Sequence, residues 1–474
     1  MKKYLCFFNL IAALIAKALS FKEYKNIQKL AENEEVQINA FVDNLINRYF
    51  GRTINDYKLR LSITFEDAKA IIDALNGKNY YYFSAIIIRL DKIIPDELLY
   101  NLLSYKTLSQ EGIADKYFES LNDNFDQTGI YILPEISSSN NRLISKEKIS
   151  HKARLENDLK KSLKKIFFIV KSDLDGYKMV NAVIDCELNN SDYITIASTP
   201  LCNIEQSNLI NIEKLTVQQN GVNTNLLSVN LKDPLIVGDK FKKILTHCSR
   251  EKDVDFFLGP EIVGTQRFTS VNSYGFNDEI RMLGDYQLPS IIIPPTYVHN
   301  STNVLTVFAN SGEKLGEQHK QVPFDDRQAK EDLRNSQKEI FILHIKEIGR
   351  ICFAICKDFL TDYADIFIKT LKANLIFCPS YSESVTAFRA AKGVVEAYNC
   401  KIVWINCCSA FKNRRKKGAF IGFASGNYIP NSTKFFKCAK EGECNGCYFK
   451  IKMPLTSSGE RYRDKSIIVK QQKI

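Results

Sequence analysis

The alternation of apolar and polar positions changes at about residue 175 and divides the chain into two regions. In the first region apolar residues recur at helical spacing. Residues 65–75 are an example, because Thr64 and Asp67 form a capping signal at the start of that segment. The pattern predicts a mostly helical N-terminal region over residues 1–175, and the sequence does not indicate what this region does.

The second region, residues 176–474, alternates short runs of β-branched and aromatic residues with helical segments. Strands are predicted at residues 193–198, 214–218, 255–258, 290–293, 303–308, 351–355, 375–378 and 401–407. Helices are predicted to begin at Asp233-Pro234 and to cover residues 363–371 and about 383–398. Because strands and helices alternate along the chain, we predict an α/β sandwich with helices covering its sheets.

A basic segment at residues 151–167 lies near the end of the first region. Its apolar residues fall on one face of a predicted helix: Leu155, Leu159, Leu163 and Phe167. We interpret it as a solvated connecting helix whose lysine stems cover apolar surface. The alternative is a helix that faces phosphate groups or a nucleic acid. No aromatic residues lie between the basic ones to stack on bases, so the segment gives only weak support for a nucleic-acid partner.

The composition is that of an ordinary globular protein, with 474 residues, 45% of them hydrophobic and 25% charged. This length favours two domains. Thirteen cysteines, an odd number without a short framework spacing, indicate free thiols in a reducing compartment, and we therefore predict a cytoplasmic protein. The net charge of +11 permits an acidic partner but is a mild bias over this length.

The N-terminus allows two interpretations. Met1-Lys2-Lys3 precedes an apolar run over residues 4–16, and residues 18–20 would serve as the small-residue cleavage site of a signal peptide. Asn9 interrupts the run and Lys17 lies close to that site, which favours a buried first helix instead. Because the run is too short for a membrane span, we predict no membrane association.

Three polar residues lie in apolar surroundings. Glu261 follows the predicted strand at 255–258, Cys356 follows the one at 351–355, and Lys320 comes after a glycine-containing turn. Each residue alone is poor evidence, since a cysteine in a strand is usually a small core hydrophobe. Together, a carboxylate, an ammonium and a thiol at strand ends are the groups that acyl transfer through a thioester requires.

The chemistry gives each group a role. Cys356 supplies the nucleophilic sulfur, and Glu261 accepts its proton and later activates the water that cleaves the thioester. Lys320 lowers the thiol pKa and holds the oxyanion, for which the backbone N–H of Lys357 is a second donor. A buried carboxylate and a buried ammonium are tolerable only as a close pair, so we expect Glu261 and Lys320 to be in contact.

The segments around these residues resemble those of a known family. Phe257-Leu258-Gly259-Pro260-Glu261 is similar to the glutamate motif of the nitrilase, or carbon–nitrogen hydrolase, superfamily. Residues 311–320 resemble its turn-then-lysine motif, and residues 350–358 resemble its nucleophile strand. The order of glutamate, lysine and cysteine and the gaps of roughly 60 and 36 residues also fit. The resemblance covers residues 205–430, approximately.

The resemblance implies a four-layer α-β-β-α sandwich, frequent assembly into homo-oligomers, and metal-free hydrolysis of an amide or nitrile without a cofactor. It implies a covalent thioester on Cys356 and places Ser380 and Tyr381 where substrate-pocket residues are expected. The family often has a second glutamate between the lysine and the cysteine. Spacing does not choose between the two candidates, Glu331 and Glu339.

One departure from the family concerns Lys357, which follows the nucleophile where the family often has an uncharged residue. This cation selects an acidic substrate in one interpretation and points to solvent in the other. A separate feature, the C-x-x-C pair of Cys444 and Cys447, lacks the second pair of ligands that zinc requires, so no metal site is predicted.

We therefore predict a carbon–nitrogen hydrolase of the amidase or nitrilase type that acts on a small molecule. The alternative is a catalytically idle nitrilase-like binding or regulatory module, as part of a bacterial antiviral defence system that acts with a nucleic-acid enzyme. The complete triad favours the enzyme, whereas Lys357 and the large N-terminal region favour the alternative.

Overall fold

The computed structural model describes the following residues, and the structural statements below concern these alone: 2–21, 32–50, 63–94, 129–134, 158–184, 193–201, 204–219, 222–265, 287–325, 328–345, 348–397, 400–410, 419–426, 433–438, 446–454 and 466–473. The chain forms two compact units. Unit 1 comprises Met1–Asn141, Lys146–Gly176 and Val183–Asp185; unit 2 comprises Arg142–Ser145, Tyr177–Ala182 and Cys186–Ile474.

Unit 1 is mostly helical, as predicted. Its helices are α1 (Lys2–Leu19), α2 (Glu32–Phe50), α3 (Phe65–Ala74), α4 (Tyr80–Ile93) and α5 (Asp158–Ser162), with a short 3-10 turn at Lys171–Leu174. Two antiparallel strands that the sequence analysis did not predict, β1 (Ile130–Pro134) and β2 (Ile166–Val170), complete it. Thr64 caps α3 as predicted, because its hydroxyl accepts the N–H of Asp67 at 3.1 Å and the Asp67 carboxylate accepts the N–H of Thr64 at 3.1 Å.

Eight apolar residues of α1 lie in the core of unit 1. Phe7, Ile11 and Ile15 are fully buried there, together with residues of α2, α3, α4 and the two strands. A helix that is apolar around most of its circumference is stable in water only when other elements cover it. This placement agrees with the predicted buried first helix.

The predicted helix at residues 151–167 is wrong in its second half. The described helix ends at Ser162, and Phe167 lies in β2, while residues 151–157 fall outside the described part of the chain. Ile166–Val170 is a continuous run of β-branched and aromatic residues, and its pairing with β1 outweighs the helical spacing of the leucines.

Unit 2 contains two large sheets and one small sheet. Its strands are β3 (Lys178–Ile184), β4 (Tyr193–Ser198), β5 (Ile210–Gln219), β6 (Val222–Leu231), β7 (Phe256–Leu258), β8 (Ile291–Ile293), β9 (Tyr297–His299), β10 (Thr302–Ala309), β11 (Lys314–His319), β12 (Lys330–Glu331), β13 (Glu339–Ile345), β14 (Gly349–Phe353), β15 (Leu375–Ser380), β16 (Lys401–Asn406), β17 (Phe420–Ser425), β18 (Lys434–Lys437), β19 (Cys447–Pro454) and β20 (Ile468–Lys473). The predicted strands all lie within or overlap these elements.

The strand order defines the three sheets. The first large sheet runs β11-β10-β8-β7-β4-β19-β20, with β9 also paired to β10. The second runs β18-β17-β16-β15-β14-β13-β3, and the small sheet runs β12-β6-β5. The central strands β4, β7 and β8 are parallel, as are β14, β15 and β16. Their carboxyl ends therefore meet at one edge of each large sheet, where ligand sites commonly form.

The helices of unit 2 cover the outer faces of the large sheets. They are α6 (Gln206–Leu209), α7 (Pro234–Ser249), α8 (Tyr363–Asp365) and α9 (Thr386–Ala397), with 3-10 turns at Cys356–Leu360 and Cys408–Ala410 and a π turn at Ile366–Thr370. Asp233 caps α7 as predicted, since its carboxylate accepts the N–H of Leu235 at 3.0 Å.

Aromatic contacts define the layers of unit 2. The rings of Phe256 on β7 and Phe377 on β15 lie 5.5 Å apart, so the inner faces of the two large sheets pack against each other. On the outer face of the first sheet, Phe241 of α7 lies 5.4 Å from Phe257. On the outer face of the second, α9 packs its Phe388 ring 4.7 Å from the ring of Trp404. The predicted four-layer α-β-β-α sandwich is confirmed.

Candidate active site

Cys356 lies just past the carboxyl end of β14, where the chain leaves the sheet. It begins the short turn Cys356–Leu360, and its φ of +51° lies in the left-handed region. A residue with a side chain adopts this conformation at a cost of about 1–3 kcal/mol, which the surrounding structure must offset. A strained strand-to-turn junction of this kind presents a nucleophile at the edge of a sheet. The residue is 7% exposed.

Asp358 holds this turn in place. Its Oδ1 accepts the N–H of Gln321 at 3.0 Å and that of Val322 at 2.7 Å, and its Oδ2 accepts the N–H of Ile355 at 3.2 Å. The carboxylate therefore connects the turn that Cys356 begins to the segment following the predicted catalytic lysine. The sequence analysis did not select Asp358. Its position two residues after Cys356, the predicted nucleophile, could have indicated that it belongs to the site.

Glu261 reaches the site through the tight connection that follows β7. An added Cβ on Gly259 would lie 2.5 Å from the backbone nitrogen of Pro295, so only glycine permits this approach of two chain segments. The carbonyl of Pro260 accepts the N–H of Thr296 at 3.0 Å and fixes the connection. These contacts place the Glu261 side chain at the carboxyl edge of the first large sheet.

The Glu261 carboxylate is fully buried and joins several polar groups. Its Oε1 accepts from the Lys320 ammonium at 2.8 Å and from the Asn303 side-chain amide at 3.0 Å. Its Oε2 accepts the backbone N–H of Tyr381 at 2.7 Å. The Cys356 thiol lies close enough to this carboxylate for each group to affect the pKa of the other. The structure thus brings together the three residues that the sequence analysis selected.

Lys320 lies between two carboxylates and is 1% exposed. Its Nζ lies 2.8 Å from Glu261 Oε1 and 2.5 Å from Glu331 Oε2. Asn303 closes the network, because its Nδ2 donates to Oε1 of Glu331 at 3.2 Å as well as to Glu261. The sequence analysis placed Asn303 in a strand without selecting it. A polar residue at the start of an otherwise apolar run was the available signal.

Glu331 and Glu339, the two candidates for a second glutamate, lie in different surroundings. Glu331 belongs to β12, which pairs in parallel with β6, and its Oε2 also accepts the N–H of Phe324 at 3.0 Å. Glu339 is on β13, and its carboxylate lies 3.9 Å from the ammonium of Lys178. The structure therefore brings Glu331 to Lys320 and leaves the Glu339 side chain elsewhere.

The remaining predicted site residues contribute in different ways. The ammonium of Lys357 donates to the carbonyl of Pro323 at 3.0 Å. The hydroxyl of Ser380 is fully buried and accepts the indole N–H of Trp404 at 2.8 Å. This hydrogen bond connects β15 to β16. Tyr381 is partly buried and contributes its backbone N–H to the central carboxylate.

Burial and charge set the protonation of the cluster. Burial raises the pKa of the Cys356 thiol, the Glu261 carboxylate raises it further, and the Lys320 ammonium lowers it by less. Burial also raises the pKa of Glu261 despite the opposing charge of Lys320. Burial by itself would lower the pKa of Lys320, but the two carboxylates outweigh that effect and raise it. The resting site therefore holds a protonated thiol beside a charged ammonium.

This result corrects one expectation. Lys320 does lower the thiol pKa, as predicted, but its effect is smaller than the combined effects of burial and Glu261. The thiol is therefore not ionised in advance. Its proton leaves only when a base takes it, and Glu261 is a carboxylate whose charge acts on this thiol.

The described part of the chain contains neither a cluster of metal-binding side chains nor a membrane-spanning helix. No group of three or more His, Cys, Asp and Glu residues there is placed to hold a metal ion. Of the C-x-x-C pair, Cys447 is described and Cys444 is not. Among the helices whose placement is described, none has the length and apolar character that crossing a bilayer requires.

Several solved structures are similar to this chain. An amidase from Nesterenkonia sp. matches with 12% identity and a TM-score of 0.36, over 58% of this chain and 95% of that protein. Nit3 of Saccharomyces cerevisiae, a member of branch 10 of the nitrilase superfamily, matches with 11% identity and a TM-score of 0.35, over 57% and 93% of the two chains. The glutamine-dependent NAD+ synthetase of Acinetobacter baumannii matches with 13% identity and a TM-score of 0.33, over 48% and 45%.

No protein-family model and no curated protein matches the sequence of this chain. The solved structures that match it thus include members of the superfamily that the motifs around Glu261, Lys320 and Cys356 resemble.

Proposed function

We propose that unit 2 hydrolyses a non-peptide C–N bond, in an amide or nitrile of a small molecule, through a thioester on Cys356. The observation that carries the proposal is the buried Glu261 carboxylate, which lies 2.8 Å from the Lys320 ammonium and interacts electrostatically with the Cys356 thiol. A base, a cation and a nucleophile that share one water-excluded position are the groups that acyl transfer requires.

In the first half of the reaction with an amide, the sulfur of Cys356 attacks the carbonyl carbon while Glu261 takes the thiol proton. A C–S bond forms and the carbonyl oxygen becomes an oxyanion. The C–N bond then breaks, and the proton held by Glu261 passes to the departing nitrogen, which leaves as ammonia or an amine. The raised pKa of Glu261 suits this role, since a base works best when its pKa lies near the working pH.

In the second half, water attacks the thioester carbon and Glu261 accepts a proton from that water. The C–S bond breaks, Glu261 passes this proton to the departing sulfur, and the acid product leaves. Glu261 therefore acts as base and then as acid in each half, and no group outside the cluster is needed to balance the protons.

Oxyanion stabilisation falls to Lys320 and to the backbone of Lys357. An ammonium carries three N–H donors, and two of those of Lys320 are occupied by Glu261 and Glu331. The third donor remains for the substrate oxygen. The N–H of Lys357 lies in the first turn after the nucleophile, where backbone donors are available to a ligand. Glu331 fixes the ammonium by holding it from the side opposite Glu261.

Replacing the nucleophile tests this function. Cys356→Ala should reduce ammonia release from a panel of amides and nitriles by at least about 10³-fold. Cys352→Ala is the matched control, because Cys352 lies on β14, the strand that leads to Cys356, and is fully buried. That variant should retain turnover in proportion to its folded fraction. A slow substrate should also leave an acyl group on Cys356 that intact-mass measurement detects.

The complete absence of these activities would instead favour a catalytically idle binding or regulatory module. If the full chain releases no ammonia from any member of the panel and no acyl adduct forms on Cys356, the proposal fails. Equal turnover by the Cys356→Ala and Cys352→Ala variants would also contradict it.

A further inference from the structure

The proposed reaction uses the backbone of Lys357 and leaves the role of its side chain open. The side chain is half-buried, and its ammonium donates to the carbonyl of Pro323 at 3.0 Å. Because an ammonium has three N–H donors, this contact leaves two for other acceptors. In the described part of the chain no carboxylate lies close enough to this ammonium to form an ion pair.

The position of Pro323 puts this ammonium beside the catalytic cluster. The next residue, Phe324, donates its N–H to Glu331 at 3.0 Å, and Glu331 lies 2.5 Å from the ammonium of Lys320. The Phe324 side chain is 52% exposed. An apolar surface and a cation are therefore next to each other at the border of the site.

The charge of the cluster explains why a further cation is useful. Lys320 faces two carboxylates, Glu261 and Glu331, so a ligand that adds negative charge here is repelled unless another cation binds it. A neutral ligand that covers the ammonium of Lys357 would remove its water without replacing the lost hydrogen bonds. An anionic group on the ligand avoids both costs, since it accepts those hydrogen bonds and is neutralised.

We propose that Lys357 determines substrate specificity, and that the substrate is an amide or nitrile carrying a carboxylate at a distance from the scissile carbon. The ammonium of Lys357 binds that carboxylate while Lys320 holds the oxyanion. This inference rests on the proposed function, because it names the substrate class of the same site.

The experiment compares amides of matched length with and without a terminal carboxylate: succinamate against butyramide, and glutaramate against valeramide. Ammonia release by the full chain gives kcat/KM for each. The wild-type chain should favour the carboxylate member of at least one pair. Lys357→Met, which keeps the length of the side chain and removes its charge, should lower that preference by about 10- to 100-fold, the effect of one lost hydrogen bond between charged groups.

A matched control separates this effect from a general change in charge. Lys330 lies next to Glu331 in sequence, and its side chain is 59% exposed and 3.9 Å from Asp325. Lys330→Met should change the preference by less than about 2-fold, because exposed ion pairs contribute little.

Binding measured without turnover gives an independent readout. The Cys356→Ala chain should bind succinamate or glutaramate about 10- to 100-fold more tightly than the Cys356→Ala, Lys357→Met double variant does, by calorimetry. If neutral amides acylate Cys356 but the carboxylate members are not favoured, or if Lys357→Met lowers kcat/KM equally for both members of each pair, the specificity inference is overturned and the proposed function stands. If neither these amides nor any member of the panel of amides and nitriles is turned over or acylates Cys356, both are overturned.

Discussion

Two carboxylates, Asp91 in unit 1 and Glu261 in unit 2, are fully buried but have different partners. The described donors to Asp91 are all backbone N–H groups, those of Lys164 at 2.8 Å, Lys165 at 3.0 Å and Ile166 at 2.9 Å. Glu261 accepts from an ammonium, a side-chain amide and one backbone N–H, and its charge raises the pKa of the Cys356 thiol.

The difference agrees with a structural role for Asp91 and with the chemical role that we propose for Glu261. Backbone N–H groups do not transfer their protons at ordinary pH, so Asp91 can only hold the end of α4 to the turn before β2. The thiol and the ammonium at Glu261 both carry exchangeable protons, and burial strengthens every charge interaction between them. The kind of donor thus distinguishes a buried carboxylate that stabilises a fold from one suited to catalysis.

The largest expected effect comes from neutralising each carboxylate in turn. Glu261→Gln removes the proton acceptor, so kcat/KM for a responsive amide should fall by about 10²–10⁴-fold. Asp91→Asn should leave kcat/KM within about 2-fold of the wild-type value, because its described partners all belong to unit 1. It should instead lower the free energy of unfolding by about 1–3 kcal/mol, since a buried N–H loses its acceptor. Kinetics and urea unfolding of both variants check this.

Either of two results would contradict the difference proposed between Glu261 and Asp91. A Glu261→Gln chain with wild-type kcat/KM would show that the carboxylate only pairs with Lys320. An Asp91→Asn chain that is as stable as the wild type would show that its three hydrogen bonds contribute little.

A second, smaller effect distinguishes the two candidate glutamates. Glu331→Gln removes one of the two carboxylates that hold Lys320, and the resulting displacement of the ammonium should lower kcat/KM by about 10²-fold. Glu339→Gln is the matched control, because its pairing with Lys178 is partly exposed and 3.9 Å long. It should change kcat/KM by less than about 2-fold. Equal losses in the two variants would remove Glu331 from the site.

Part of the site could be predicted because local sequence fixes it. Glu261 and Cys356 each follow a short apolar strand, and strands of this kind lie parallel in the centre of an α/β sheet, so their carboxyl ends meet at one edge. The requirement that a buried ammonium pairs with a buried carboxylate then connects Lys320 to Glu261. The alternation of strands and helices predicts a sandwich covered by helices, and the resemblance to the nitrilase superfamily implies its four layers.

The rest depends on contacts between distant segments. β12 brings Glu331 to the site because it pairs with Leu226 and Leu227 of β6, about 100 residues earlier. The spacing between Lys320 and Cys356 does not indicate that pairing. The predicted end of the helix at residues 151–167 was wrong for the same reason. Pairing with β1, a distant segment, places Phe167 in a strand.

The smallest expected effect concerns pH and uses Asp358, a third fully buried carboxylate, which lies between the two cases. Its described donors are backbone N–H groups, as for Asp91, but burial raises its pKa to about 7 against the opposing charge of Lys320. A carboxyl with a higher pKa in the folded chain than in the unfolded chain binds more protons when folded, so its contribution to stability is full at low pH and is lost as pH rises through about 7. Between pH 5 and pH 8 the wild-type chain should therefore lose about 2–3 kcal/mol more stability than Asp358→Asn, which cannot titrate. Urea midpoints of both chains at the two pH values give this difference directly, because other titrating groups are common to both. A wild-type chain whose stability changes no more than that of the variant would mean that Asp358 keeps its ordinary pKa.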